Sequence, residues 1–108
     1  KMMNPNVQQA MKQIQKIQAE MARVQQELEE KTVTATAGGG VVEVTFSGKL
    51  ELKAIKIDPE VAGEDLEMLQ DLITAAVNEG IKQAQEMSAS EMAKVTGNLK
   101  IPGMPGLF

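Results

Sequence analysis

The sequence contains no histidine, cysteine, tryptophan or tyrosine, and its only aromatic side chains are Phe46 and Phe108. Each absence removes a class of chemistry. Zinc centres are built from Cys and His, and nucleophilic triads and most general-base sites at neutral pH rely on His, so both are excluded. Carboxylates, Lys and Ser remain, yet no Asp/Glu cluster has the turn or strand-end placement of a Mg²⁺ or carboxylate-dyad site, and the chain reads as a non-enzyme. One Phe within the folded body cannot supply the base-stacking platform of an RRM or OB-type module. The lack of cysteine excludes disulfides and fits a reducing compartment. The longest strictly apolar runs are only a few residues, as in Ala75-Ala76-Val77, far below the roughly 20 residues that span a bilayer. The opening Lys1-Met2-Met3-Asn4-Pro5 has no secretory h-region, so a cytoplasmic protein without membrane partners is expected.

What is present fits one globular domain. The chain has 108 residues, 43% hydrophobic and 24% charged, ordinary values for a folded protein. Val7 to Glu30 contains neither Gly nor Pro and is rich in Gln, Glu, Lys, Ala and Met, all good helix formers. Its apolar residues fall on a heptad, with Val7, Ile14, Met21 and Leu28 on one seam position and Ala10, Ile17 and Val24 on the other. Such a helix is about 36 Å long, so part of it should project beyond so small a body.

The strands come next. Thr32-Val33-Thr34-Ala35-Thr36 alternates, Gly38-Gly39-Gly40 breaks the chain, and Val42, Val44 and Phe46 then mark one face of a second strand, which together read as a hairpin. After Ser47-Gly48-Lys49, the stretch Leu50–Ile57 gives a third strand. Its alternation changes phase near Ala54, which predicts a bulge there. Asp58-Pro59 suits a cap and first helical position. From about Glu64, Leu66, Leu69, Ile73, Ala76, Val77, Gly80, Ala84 and Met87 follow helical spacing that continues through Met92 and Val95, and Gly80 suggests a close packing.

The fold class read from this order is α+β, α-β-β-β-α: a long N-terminal helix, a three-stranded antiparallel sheet and a C-terminal helix, with helices on one sheet face. Residues 1–96 form the single domain, and residues 97–108 a Gly/Pro-rich tail expected to be mobile or docked on a partner chain. A body of about 60 residues buries only about 60% of its unfolded surface, and a projecting seam exposes more apolar area, so a homodimer is expected. Val24, Leu28, Val42, Val44, Phe46, Ile73 and Val77 are the candidates for core or dimer interface.

Net charge is −4 at pH 7 and the pI about 4.8, against the basic footprint of ordinary nucleic-acid binders. The average conceals a division. Residues 1–26 carry Lys1, Lys12, Lys16 and Arg23 against Glu20 alone, a net +3, whereas residues 58–81 carry seven acids and no base. Lys12, Lys16 and Arg23 lie opposite the apolar seam, interspersed with Gln9 and Gln13, which also donate to phosphate oxygens. Lys94 and Lys100 extend the set from the second helix end. A solvated helix face presents the same pattern, and the acids at residues 64, 65 and 67 equally suit the positive end of a helix dipole.

Taken together, the stretch Met11–Met21, the Gly-rich turn into Val41–Thr45, Ile55-Lys56-Ile57-Asp58-Pro59, Asp65–Leu72 into Ala75–Asn78, and the ending Pro102–Phe108 resemble the YbaB/EbfC family of bacterial nucleoid-associated DNA-binding proteins. The resemblance implies a tweezers-like homodimer with helical arms that binds duplex DNA with little or modest sequence preference, on the nucleoid. It implies no cofactor, catalysis or small-molecule substrate, and roles in chromosome compaction or transcription. By resemblance the arm contacts carry over to Lys12 and Lys16; Arg23, Lys94 and Lys100 follow from charge and helix position. Three neutralised phosphates per chain would make six contacts in a dimer and a log K against log salt slope of roughly −5. The alternative is a protein–protein adaptor whose helices and eight methionines capture another helix without direct DNA binding.

Overall fold

A computed structural model of the protein describes residues 5–63 and 65–98. The element order is α1 (Pro5–Glu30), β1 (Thr32–Ala37), β2 (Val42–Ser47), β3 (Leu52–Ile57), α2 (Pro59–Ala62) and α3 (Leu66–Asn98). The α-β-β-β-α architecture read from the sequence is the one found, with the short α2 preceding the last long helix. The strands form one antiparallel sheet in the order β1-β2-β3.

The turn between β1 and β2 places Gly38, Gly39 and Gly40 at φ 65°, 74° and 98°, a left-handed run that only glycine adopts without steric cost. It sets the register Val33↔Phe46, Ala35↔Val44 and Ala37↔Val42, so these side chains share the inner face of the sheet. Between β2 and β3 the pairs are Phe46↔Leu52 but Thr45↔Ala54, with Lys53 as the extra residue. The bulge foreseen near Ala54 is there, one residue earlier. It puts Leu52, Ile55 and Ile57 on the same inner face as Val42, Val44 and Phe46, reconciling the two phases of the alternation. The third strand starts at Leu52 rather than Leu50, because Leu50 turns the chain with φ 65°.

Ser47 closes that turn. It is buried, and its Oγ accepts from the backbone N–H of Lys49 at 3.2 Å and of Glu51 at 3.3 Å. Gly48 donates to the carbonyls of Leu28 and Lys31, 2.9 and 3.1 Å away, which fastens the β2–β3 turn to the end of α1. Downstream, Asp58 caps α2 by accepting from Glu60 N–H at 2.9 Å, with Pro59 at the start of the helix. Asp65 accepts from Met68 N–H at 3.1 Å, so α3 begins at Leu66, two residues later than its periodicity suggested. Its last turn reaches Asn98, into the stretch read as tail; residues 99–108 lie outside the described part.

The core consists of two clusters. In the first, Leu69, Ala76 and Ala84 of α3 pack on Ala35, Val42, Val44 and Phe46, with Ile73 and Val77 half-buried beside them. Gly80 lets α3 approach β2: a Cβ there would stand 2.6 and 2.7 Å from the Phe46 ring carbons Cδ2 and Cε2 and 3.1 Å from Val44 Cγ2. In the second, Val24 and Leu28 of α1 pack on Val95 of α3, flanked by Ile17, Met87 and Met92. Pairing of Lys31 with Glu91 and Gln25 with Met92 makes α1 and the end of α3 antiparallel. Because only the last turns of α3 meet the last turns of α1, the molecule is drawn out to 75 × 23 × 17 Å with a radius of gyration of 20.8 Å, against about 13 Å for a compact chain of this length.

Helices cover the inner sheet face unevenly. Helix α3 lies across β1 and β2 and leaves β3 open, so Leu52 and Ile55 are each 42% exposed although they share the face of the buried Val42 and Val44.

Candidate nucleic-acid interface

The N-terminal half of α1 projects past the packed part of α3 and carries the candidate cations. Gln9, Lys12 and Lys16 are exposed and Gln13 is half-buried, spaced at three and four residues so that they follow one side of the helix. Among the described residues, no carboxylate lies within ion-pair distance of Lys12 or Lys16. Neither ammonium is held in an ion pair, although the charge of Lys16 helps to lower Glu20, four residues further on.

The other predicted cations have carboxylates at hand. Arg23 is exposed but sits between two acids on the same helix, its guanidinium donating to Glu20 and to Glu27, each at 2.6 Å. The hydrogen bond from Arg23 holds the Glu20 carboxyl below its ordinary range, and the bond to Glu20, followed by that to Glu27, raises Arg23. Two carboxylates around one guanidinium leave that point of α1 without net positive charge. Lys94 reaches Glu91 at 3.3 Å, sharing the Oε1 oxygen that Lys31 engages at 2.9 Å. The bond from Lys31, then that from Lys94, keeps Glu91 ionised below the usual carboxylate range. Lys100 lies outside the described residues.

Sequence reasoning passed over three further exposed cations without ion pairs among the described residues, Lys49 in the β2–β3 turn, whose ammonium donates to the neutral Gln25 Oε1 at 2.8 Å, Lys56 on the outer sheet face and Lys82 on α3. Each stands alone on an element of other character, so no pattern announces it. Four acids of the acidic block have local roles: Asp58 and Asp65 are helix caps, and Glu60 and Glu67 occupy first turns, where the helix dipole favours negative charge. The acidic start of α3 and the cationic arm lie at opposite ends of the long axis, since α3 meets α1 only through its final turns.

The apolar candidates divide between the two clusters: Val42, Val44 and Phe46 of β2 with Ile73 and Val77 of α3 in the first, Val24 and Leu28 of α1 in the second. The large apolar side chains left open belong to other positions: Val7, Met11, Ile14 and Met21 on α1, Leu50, Leu52 and Ile55 at β3 and its turn, and Leu66 and Met68 at the start of α3. Alternation shows that β3 has an apolar face but not that α3 stops short of it. Among the described residues no group of three or more acidic or metal-ligating side chains is placed to hold a metal ion, and no helix is long and apolar enough to cross a membrane.

Comparison with known proteins bears on this arrangement. The profile of the YbaB/EbfC DNA-binding family matches residues 2–99. The chain is 62% identical over 99 residues to a nucleoid-associated protein of Moorella thermoacetica, covering 91% of this chain and 95% of that one. It is 54% identical over 104 residues to a nucleoid-associated protein of Pelotomaculum thermopropionicum, covering 95% and 99%. Among solved structures, an uncharacterized protein of Helicobacter pylori superposes with a TM-score of 0.62 at 28% identity, covering 71% of this chain and 90% of that one. A profile match over residues 2–99 and relatives more than half identical across nearly the whole length place this chain in the YbaB/EbfC DNA-binding family.

Proposed function

We propose that the protein binds duplex DNA as a homodimer through phosphate contacts made by the arms of α1, with little sequence preference, and that it acts on the nucleoid in the cytoplasm, compacting DNA or modulating transcription. The observation that carries this reading is the pair Lys12 and Lys16, outside any ion pair on a projecting helix, while Arg23, Lys31 and Lys94 of the same region are held by Glu20, Glu27 and Glu91. Local positive charge on an otherwise acidic protein is sufficient for backbone binding, because each neutralised phosphate releases condensed counterions. Gln9 and Gln13 add hydrogen-bond donors along the same side. The described residues include no aromatic and no free Arg on the arm, so discrimination between bases is weak. Family membership and the nucleoid-associated relatives support DNA as the partner.

The dimer is supported by the open flank of the sheet. Leu50, Leu52 and Ile55, exposed by 45%, 42% and 42%, line the uncovered inner face of β3 and its turn. Leu50 holds φ at 65°, a conformation that costs a branched side chain about 1–2 kcal/mol and that persists where something else is gained by it. Pairing this face with its copy buries all three side chains and sets two α1 arms on one particle.

The test is titration of the purified protein into a labelled duplex of random sequence at several salt concentrations, with the oligomeric state followed by light scattering. Two lysines per chain outside ion pairs give four phosphate contacts per dimer and a slope of about −3.6 in log K against log salt. That is shallower than if Arg23 took part. Absence of binding at low salt would overturn the proposal in favour of a protein–protein adaptor.

A further inference from the structure

Helix α1 changes sign along its length. Residues 5–16 carry Lys12 and Lys16 and no acid, a charge of +2, whereas residues 17–30 carry Arg23 against Glu20, Glu27, Glu29 and Glu30, a charge of −3. Arg23 stands seven residues beyond Lys16, two turns or about 10.5 Å further along the same side of the helix, so it prolongs the line of the two lysines. A duplex laid along the whole arm would meet all three cations in turn. At Arg23, however, it would meet a guanidinium with a carboxylate on each side: Nη2 donates to Glu20 Oε2 and Nη1 to Glu27 Oε1, both at 2.6 Å, and each acid side chain is 38% exposed. Glu20 also faces back toward the lysines. Its carboxyl is held below the ordinary range first by the hydrogen bond from Arg23, with smaller shares from the charges of Arg23 and Lys16.

We propose that Glu20 and Glu27 fix where the duplex lies on the arm: they end its footprint at Lys16, so that DNA crosses the N-terminal half of α1, and they withhold Arg23 as a third phosphate contact. This rests on the duplex-binding reading and adds to it two acids that position the ligand without touching it. The physical reason is local charge. A phosphate approaching Lys12 or Lys16 meets a cation outside any ion pair, whereas one approaching Arg23 meets two carboxylates for one guanidinium, a net repulsion close to the helix surface. Hydrogen-bonding capacity is not what stops it, because the guanidinium has five donors and the two acids engage only two of its nitrogens. Stability does not account for the acids either, since exposed ion pairs on one helix add little to it. Gln is as good a helix former as Glu, so the charges can be removed while the helix is kept.

The test is made in full-length protein with Glu20→Gln and Glu27→Gln combined. Titration into a labelled duplex of random sequence at several salt concentrations should show tighter binding than the parent and a log K against log salt slope that steepens from about −3.6 to about −5.4, six contacts per dimer instead of four. Adding Arg23→Ala to that variant should return the slope to the parental value, because the gain belongs to the released guanidinium. Glu67→Gln with Asp71→Asn makes the same change in net charge at the start of α3 and should leave the slope as it was. A parent that binds with its salt dependence while the Glu20→Gln, Glu27→Gln variant keeps the parental slope would overturn the proposal. So would an equal steepening in the Glu67→Gln, Asp71→Asn variant, or a gain that survives Arg23→Ala. A parent without salt-dependent binding would instead remove the duplex reading, and the proposal with it.

Discussion

Replacing Gly80 with alanine sets two known effects against each other. In an exposed helix the change stabilises by about 1 kcal/mol, since alanine costs less backbone entropy. At this position the added methyl would stand 2.6 and 2.7 Å from two carbons of the Phe46 ring and 3.1 Å from Val44 Cγ2. Both neighbours are buried, and the ring edge cannot swing aside as the end of a long side chain would. Forcing a methyl into such a place costs about 1–3 kcal/mol, and two contacts this short put Gly80→Ala in the upper part of that range. The net effect is a loss of about 1–2 kcal/mol, or a Tm lowered by roughly 4–15 °C for a domain of this size. Gly97→Ala on the same helix is the reference, because an added Cβ there meets nothing within 4 Å; its Tm should hold or rise slightly. Thermal denaturation followed by far-ultraviolet circular dichroism reads both. A Gly80→Ala protein as stable as the parent would refute the claim that α3 is held against β2 by the lack of a side chain.

Leu28→Ala removes a side chain that is 1% exposed at the junction of α1, α3 and the β2–β3 turn; a loss of about 2–5 kcal/mol by urea denaturation is expected, and less than 1 kcal/mol would show that the two helices are not packed there. Ile55→Glu charges the open face of β3 and should convert the proposed dimer to monomer by light scattering while leaving the circular dichroism spectrum of the fold intact; a persistent dimer would place the interface elsewhere. Glu91 is depressed by its bonds to Lys31 and Lys94, so its contribution is present above the ordinary carboxylate pKa and lost as pH falls through the lowered one. The stability difference between the parent and Glu91→Gln should therefore persist at neutral pH and vanish in acid, a dependence that urea titrations at a series of pH values would show or disprove.

The fold was legible because each element announces itself locally. The heptad of α1, the triple glycine and the phase change in β3 are short-range patterns, and the bulge at Lys53 is within one residue of where the alternation required it. What the sequence could not show is how far each long helix reaches over its neighbours. Periodicity assigns α3 an apolar face but does not say that this face stops at β2, so Leu52 and Ile55 could be recognised as inward-facing and not as uncovered. The same holds for charge. Lys12, Lys16 and Arg23 look alike on a helical wheel, yet Arg23 has acids both three residues before and four residues after it, the spacing that brings side chains together, and both pair with it, whereas Lys16 has only Glu20 at that spacing, and Glu20 pairs with Arg23 instead. Glu20 and Glu27 were visible in the sequence; their capture of the guanidinium was the signal to read.

That difference between lysine and arginine supplies the most direct test of the account. Salt dependence of binding to a random-sequence duplex should be measured for the parent, for Lys12→Ala with Lys16→Ala, and for Arg23→Ala. The double variant should lose most of its affinity uniformly across sequences, and its log K against log salt slope should flatten from about −3.6 toward zero, whereas Arg23→Ala should keep the parental slope. A double variant with the parental slope, or an Arg23→Ala protein whose slope falls as far as the double variant's, would contradict the assignment of DNA binding to the arm lysines outside ion pairs.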